Sequence, residues 1–274
     1  MTIFATIQSV NRPIEFPINE RALVEILIAL ITCEHGGNQV PPRFQSQFDS
    51  NRAKRDLASH RGYDPGALSI AKSLAMHLES EITFSRTSRL LVELNRSPDH
   101  SQLHSRYTYS LPESIKKQIL AEYYFPYRET LEERMARIIA GGESVLHLSM
   151  HTFTRRFRGI LRSVDIGVLY DPNRNREASF SSLLVERLTE SMPRLRVRHN
   201  EPYRGSDDGF TTYLRTRFAG DSYLGIEIEA CNEFTQWPTA TKKEWMNKLA
   251  EAIRSARSDR KIEDLVQIQG RDVR

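Results

Sequence analysis

Histidines, carboxylates and an Asn-Arg pair recur in this 274-residue chain where an apolar, strand-like run gives way to a loop. Cys33-Glu34-His35-Gly36-Gly37-Asn38 closes one such run, presenting an imidazole beside two glycines that leave room for another group to approach the backbone. In Ser59-His60-Arg61-Gly62-Tyr63-Asp64-Pro65-Gly66-Ala67, Asp64 opens a helical pattern, where it can cap the helix, bind a metal, or do both with its two oxygens. His60 in the same segment reads as a supporting residue at most. His147 and His151 share a parity along one strand, and His151 lies at the carboxyl end, where it can reach a site. His35, Asp64 and His151 together would form the two-imidazole, one-carboxylate set of a catalytic zinc, with a position left for water. Such an ion lowers the pKa of its bound water toward ~7. Taken singly, each has an ordinary reading as a surface turn histidine or a helix cap. Their coincidence at successive segment ends is what points to a shared metal site.

Other chemistry-bearing residues sit at comparable places. Glu227 and Glu229, at i and i+2, project from one side of an otherwise apolar strand, and either could take a proton from an attacking water. The alternative is an edge strand with a solvated face. Asn95-Arg96 follows the run 89–94 and offers amide and guanidinium donors suited to a substrate carboxylate. Arg174, just after the strand 164–170, invites the same reading, whereas Arg86 and Arg89 come too early in their segment. The polar loop 200–209 could be a lid with Tyr203 as a substrate contact, or a plain connection. The chain has no phosphate-binding glycine loop, no nucleophile elbow and no H-E-x-x-H.

The elements that must hold these residues alternate. Strand-like runs at 26–33, 89–94, 144–150, 164–170, 195–199 and 222–231 are separated by helical patterns at 65–80, 112–140, 177–192 and 242–257, the second interrupted near Pro126. This alternation predicts one α/β domain over residues 1–274, a mostly parallel sheet with helices on both faces, and a charged tail over the last ~15 residues. In such sheets, ligands gather at the carboxyl ends of the strands. The net charge of +4, with both signs mixed, does not mark a nucleic-acid binder, and the basic run Thr154-Arg155-Arg156-Phe157-Arg158 reads equally as a solvated loop. The longest apolar run is far short of the ~20 residues that span a bilayer. The N-terminus lacks a basic region followed by an apolar one, so no leader is expected. Two cysteines without a C-x-x-C exclude a disulfide scaffold and a cysteine zinc finger. A cytoplasmic protein with neither membrane nor nucleic-acid partners is expected.

The segments Cys33–Asn38 with Val40-Pro41, His60–Ala67, Leu94-Asn95-Arg96-Ser97, His151-Thr152-Phe153 and Leu169-Tyr170-Asp171-Pro172 together resemble the N-formylglutamate amidohydrolase family, over residues 25–235. The resemblance implies a fold similar to the zinc carboxypeptidases, with a mixed sheet between helices. It also implies zinc-dependent hydrolysis of N-formyl-L-glutamate to formate and glutamate, a late step of histidine degradation. One zinc per chain is expected, with another divalent metal as the substitute. By likeness to the wider carboxypeptidase and deacylase group, Arg96 would hold the substrate's α-carboxylate. That group carries His-x-x-Glu, whereas here His35 is followed at the third position by Asn38. Either Asn38 or Asp64 would supply the second ligand, and Asp64 is preferred because a carboxylate better offsets the ion's charge. Glu229 is preferred over Glu227 as the base. The alternatives are a related N-acyl amino acid deacylase, a carboxypeptidase-like peptidase, or a non-catalytic protein that binds acyl amino acids.

Overall fold

A computed structural model describes residues 27–259, so the expected charged tail lies outside the described residues. The described residues form eight strands: β1 (Leu27–Cys33), β2 (Glu81–Phe84), β3 (Ser144–Phe153), β4 (Arg156–Phe157), β5 (Ile160–Leu161), β6 (Ile166–Leu169), β7 (Val197–His199) and β8 (Tyr223–Cys231). The helices are α1 (Asn51–Leu57), α2 (Ala67–Leu78), α3 (Glu113–Ile119), α4 (Phe125–Ala140), α5 (Asn175–Ser191), α6 (Phe210–Arg217) and α7 (Thr239–Arg257). A π-helical turn, Leu120–Tyr124, joins α3 to α4 just before Pro126. Pro126 has no amide hydrogen to donate back into that turn, which accounts for the break in the helical pattern there.

Six strands make one sheet in the order β2-β1-β3-β8-β6-β7. The pairs β1–β2, β1–β3, β3–β8 and β6–β7 are parallel, but β6 runs antiparallel to β8. The sheet is therefore mixed and mostly parallel, as the α/β reading expects. Strands β4 and β5 form a separate two-stranded hairpin. Among the described residues, no helix is long and apolar enough to cross a membrane.

The run 89–94 is not a strand. Leu91, Val92 and Leu94 are buried with Phe44, Phe48, Ile119 and Tyr124 in a second core. Neighbouring loops satisfy the segment's backbone: Glu93 N–H donates to Leu103 O, and the Leu91 and Leu94 carbonyls accept from Thr108 Oγ1 and Arg128 Nη1. An apolar run of that length can fill a core without pairing when side chains and loops supply its hydrogen bonds. The strand beside β1 is instead the short edge strand β2.

The two faces of the sheet are packed differently. Ile31, Cys33, Leu146, Leu148, Met150, Ile226 and Ile228 meet α2, α5 and α7 in the main core. The opposite face starts apolar, with Leu30, Val145 and Tyr223 under α4 and α6. Along it the alternate positions become polar toward the strand ends: Thr32 then Glu34, His147 then Ser149 then His151, and Glu227 then Glu229. Side chains two apart share a face, so three adjacent parallel strands deliver their polar residues to one corner.

Candidate metal centre

Strand β3 sits between β1 and β8, and its last residues set the site. His151 pairs in register with Glu229, and Ser149 with Glu227. His35 follows β1 in a tight turn. Its two glycines admit the chain itself: a Cβ on Gly36 would stand 2.8 Å from Ser85 O, and one on Gly37 2.6 Å from Arg86 O. The turn is held by Gln39 N–H to Arg86 O at 2.9 Å and by Asp64 N–H to His35 O at 3.0 Å. That last bond brings Asp64 beside His35. Its carboxylate does not cap α2, whose N-cap position is Gly66.

His35, Asp64 and His151 offer ligand atoms that all lie within 4.8 Å of one another. Asp64 Oδ2 is 2.9 Å from His151 Nδ1 and 3.3 Å from His35 Nδ1. Atoms that each bind one zinc at ~2.0–2.2 Å lie within about 4 Å of each other, so the spacing and the donor types both fit a divalent cation. All three side chains are buried. Asn38 is exposed and donates to Leu57 O at 3.1 Å, away from this cluster.

Both imidazoles are gripped from behind. His35 Nε2 bonds the Glu93 carboxylate, and His151 Nε2 lies 2.9 Å from Ser149 Oγ and 3.3 Å from Glu34 Oε2. Glu34 also accepts from Ser149 Oγ at 2.7 Å and Tyr127 OH at 3.0 Å. Nδ1 of each ring is thus turned toward Asp64, with Nε2 held by a carboxylate, the arrangement that orients metal-binding histidines and raises their basicity. Arg89 ties the carboxylates together, with Nη1 3.2 Å from Asp64 Oδ1 and Nη2 2.6 Å from Glu93 Oε2.

The electrostatics of the cluster call for positive charge. Burial raises the pKa values of Glu34, Asp64 and Glu93, but the adjacent histidines and, for Asp64 and Glu93, Arg89 outweigh it and hold all three below the usual carboxylate range. Burial lowers His151, yet its bonds to Asp64 and Glu34 push it well above an ordinary histidine. Arg89 pairs with Asp64 and Glu93, and among the described residues no arginine or lysine pairs with Glu34, so the cluster gains from a bound cation or from protonated imidazoles.

Glu227 and Glu229 lie on a central strand and are both buried, so the edge-strand alternative does not apply. Glu227 Oε1 accepts from Thr211 Oγ1 at 2.5 Å. Glu229 Oε2 is buried and has no hydrogen-bond partner among the described residues. Burial, with the neighbouring charges of Asp64 and Glu227, raises its pKa to about 7 against the opposing pull of His151.

The remaining expected residues are spread more widely. Asn95 Nδ2 lies 3.5 Å from His151 Nε2, and its Oδ1 accepts from Phe210 N–H at 2.6 Å. Arg96 Nη1 donates to the Asp208 carbonyl, tying this segment to the loop before α6. Tyr203 lies in that loop and lines a cleft of ≈ 480 Å³ with Asp64, Arg89, Glu93, His60 and Arg162. Arg174 is not brought to the cluster. Because β6 runs opposite to β3 and β8, its carboxyl end lies at the other end of the sheet. There Arg174 donates to the carbonyls of Arg215, Phe218 and Tyr223. His147, within β3, bonds Thr32 Oγ1 at 2.9 Å and Tyr223 OH at 2.8 Å.

Glu34, Glu93 and Arg89 are central to the cluster, although Glu34 and Glu93 carry no assigned role in the sequence and Arg89 comes too early in its segment to be expected there. The available signal is parity: Glu34 continues the polar positions of β1, just as Ser149 and His151 continue those of β3.

The sequence profile of the N-formylglutamate amidohydrolase family matches residues 28–234. The crystal structure of gene product Atu2144 from Agrobacterium tumefaciens is similar, with TM-score 0.70 and 26% identity over 85% of this chain and 91% of that one. The crystal structure of N-formylglutamate amidohydrolase from Ralstonia eutropha gives TM-score 0.63 and 16% identity over 86% of this chain and 95% of that one, a likeness of fold. No curated protein matches the chain.

Proposed function

The chain belongs to the N-formylglutamate amidohydrolase family, and from that premise we propose that it hydrolyses the amide bond of a small N-acyl amino acid, N-formyl-L-glutamate first among them. The observation that carries the reading is the convergence of His35, Asp64 and His151 beside Glu229, whose buried Oε2 has no hydrogen-bond partner among the described residues. These three residues would hold one divalent cation, zinc by the nature of the donors. When bound, such an ion polarises the amide carbonyl and makes water a nucleophile near neutral pH.

The chain's own residues supply the rest. Glu229 accepts a proton as water adds to the carbonyl carbon, then returns it to the amide nitrogen as the C–N bond breaks. Formate and the free amino acid are the products. Burial raises the pKa of this carboxyl above that of an ordinary glutamate, which suits a group that takes a proton and then gives it back. Thr211 holds Glu227 through a hydrogen bond, which favours Glu229 as the proton carrier. Arg89 fixes the Asp64 and Glu93 carboxylates. Asn95 and Arg96 are proposed to hold the substrate's α-carboxylate, with Tyr203 as a further contact. The cleft volume of ≈ 480 Å³ suits a ligand of this size.

The test is formate release from N-formyl-L-glutamate by the zinc-loaded protein, compared with a panel of other N-acyl amino acids and dipeptides. Turnover of the formyl substrate supports the reading. Zinc-loaded protein that turns over no member of the panel refutes it.

A further inference from the structure

Among the described residues that line the cleft, one cation is held in place without an anion. Arg162, just after β5, has its guanidinium carbon 4.8 Å from the Phe157 ring centroid, 4.9 Å from that of Tyr203 and 5.5 Å from that of Phe153. Its Nη2 donates to Tyr203 OH at 2.9 Å, and its Nη1 to Thr154 O at 3.4 Å. Among the described residues no carboxylate pairs with it. The neighbouring arginines are committed: Arg89 to Asp64 and Glu93, Arg61 to Asp56, and Arg155 to Asp165 and Glu233. Arg106 also lines the cleft but is exposed, with no ring stacked on it. Aromatic faces hold a guanidinium in one plane without neutralising it. A planar, charged fork held in that way is pre-organised for a carboxylate.

Position separates this arginine from the metal centre. Arg162 and Tyr203 come from the hairpin and from the loop before α6, and both face the same cleft as Asp64 and Glu93. The floor of the cleft is crowded with carboxylates, so a second negative group on a substrate is repelled there and is favoured beside Arg162.

The geometry points to Arg162, with the Tyr203 hydroxyl, as the subsite that takes the side-chain carboxylate of the substrate and so selects N-acyl amino acids with an acidic side chain. This rests on the hydrolase reading above, in which Asn95 and Arg96 take the α-carboxylate. Tyr203 OH accepts from Arg162 and has its own proton to donate to the anion.

The experiment compares N-formyl-L-glutamate with N-formyl-L-glutamine on the zinc-loaded wild type and on Arg162→Met, which keeps the apolar stem and removes the charge. The wild type is expected to prefer the acidic substrate. R162M is expected to lose about 10–100-fold of that preference, chiefly through KM, as befits the loss of a charge-assisted carboxylate contact. Calorimetric binding of N-acetyl-L-glutamate, about tenfold or more weaker to R162M than to wild type, reads the subsite without turnover. Equal losses on both substrates, or unchanged N-acetyl-L-glutamate binding, overturn the proposal. Zinc-loaded wild type that binds N-acetyl-L-glutamate through Arg162 yet hydrolyses neither formyl compound sinks the hydrolase reading and leaves the subsite standing.

Discussion

Nδ1 of His151 lies 2.9 Å from Oδ2 of Asp64, although 87 residues separate them in the chain. One comes from the end of a central strand and the other from the turn that precedes α2. The contact is reinforced where Thr152 N–H donates to the same oxygen at 3.3 Å. Asp64 is therefore aimed at the end of β3 by backbone as well as side chain, and His35 meets the same oxygen from the turn after β1. The Asp64 carboxylate is where the chemistry of two strands is joined.

Replacing Glu229 with Gln is expected to leave zinc binding intact and to lower kcat by about 10²–10⁴, the usual worth of a positioned proton carrier. Zinc content and steady-state rates on the same preparation check this. An effect below tenfold would return the role to Glu227.

The pH profile follows from the same side chain. Glu229 must be ionised to accept a proton, and burial raises its pKa to about 7. A bound cation stabilises the carboxylate and draws that value down. The kcat/KM profile of the zinc-loaded protein should therefore fall on the acid side with an apparent pKa below about 7. That limb should vanish in the residual activity of E229Q.

Glu93→Gln and Glu34→Gln each remove a carboxylate from the back of a metal-facing imidazole. Each is expected to weaken zinc binding by about 10–100-fold. A competition titration against a chelator of known affinity measures this without reference to turnover. Glu93→Asp should recover part of the loss, because the acceptor is shortened but kept.

His147 predicts a stability effect rather than a kinetic one. Burial lowers its pKa from 6.5 to about 4, so the folded chain keeps it neutral where the unfolded chain protonates it. Its contribution is complete above pH ~6.5 and is lost as pH falls toward ~4, on the order of 3 kcal/mol in all. Urea unfolding midpoints between pH 4 and 8 should fall more steeply on the acid side for wild type than for His147→Gln.

Much of this architecture is written locally. The apolar runs that become β1, β3 and β8 stand out in the chain, and the longer helices carry their own period. Direction is not local: nothing within 164–170 says that β6 will run against β8, and that reversal sends Arg174 to the far end of the sheet. Nor is pairing: the run 89–94 is as apolar as a strand but is claimed by the second core, while the four residues of β2 are too short to stand out. His35 and His151 stand out as a rare residue type at segment ends, and Asp64 as a carboxylate just before a helical pattern. Glu34, Glu93 and Arg89 do not, because a charged residue gains its meaning only from the partner that tertiary structure chooses for it.

The most direct test counts metal. Wild type, Asp64→Ala and His151→Ala would be loaded with excess zinc, desalted, and measured by elemental mass spectrometry. One zinc per wild-type chain is expected, and little in either folded variant. A wild-type protein that keeps no stoichiometric metal, or variants that both keep a full equivalent, would contradict it.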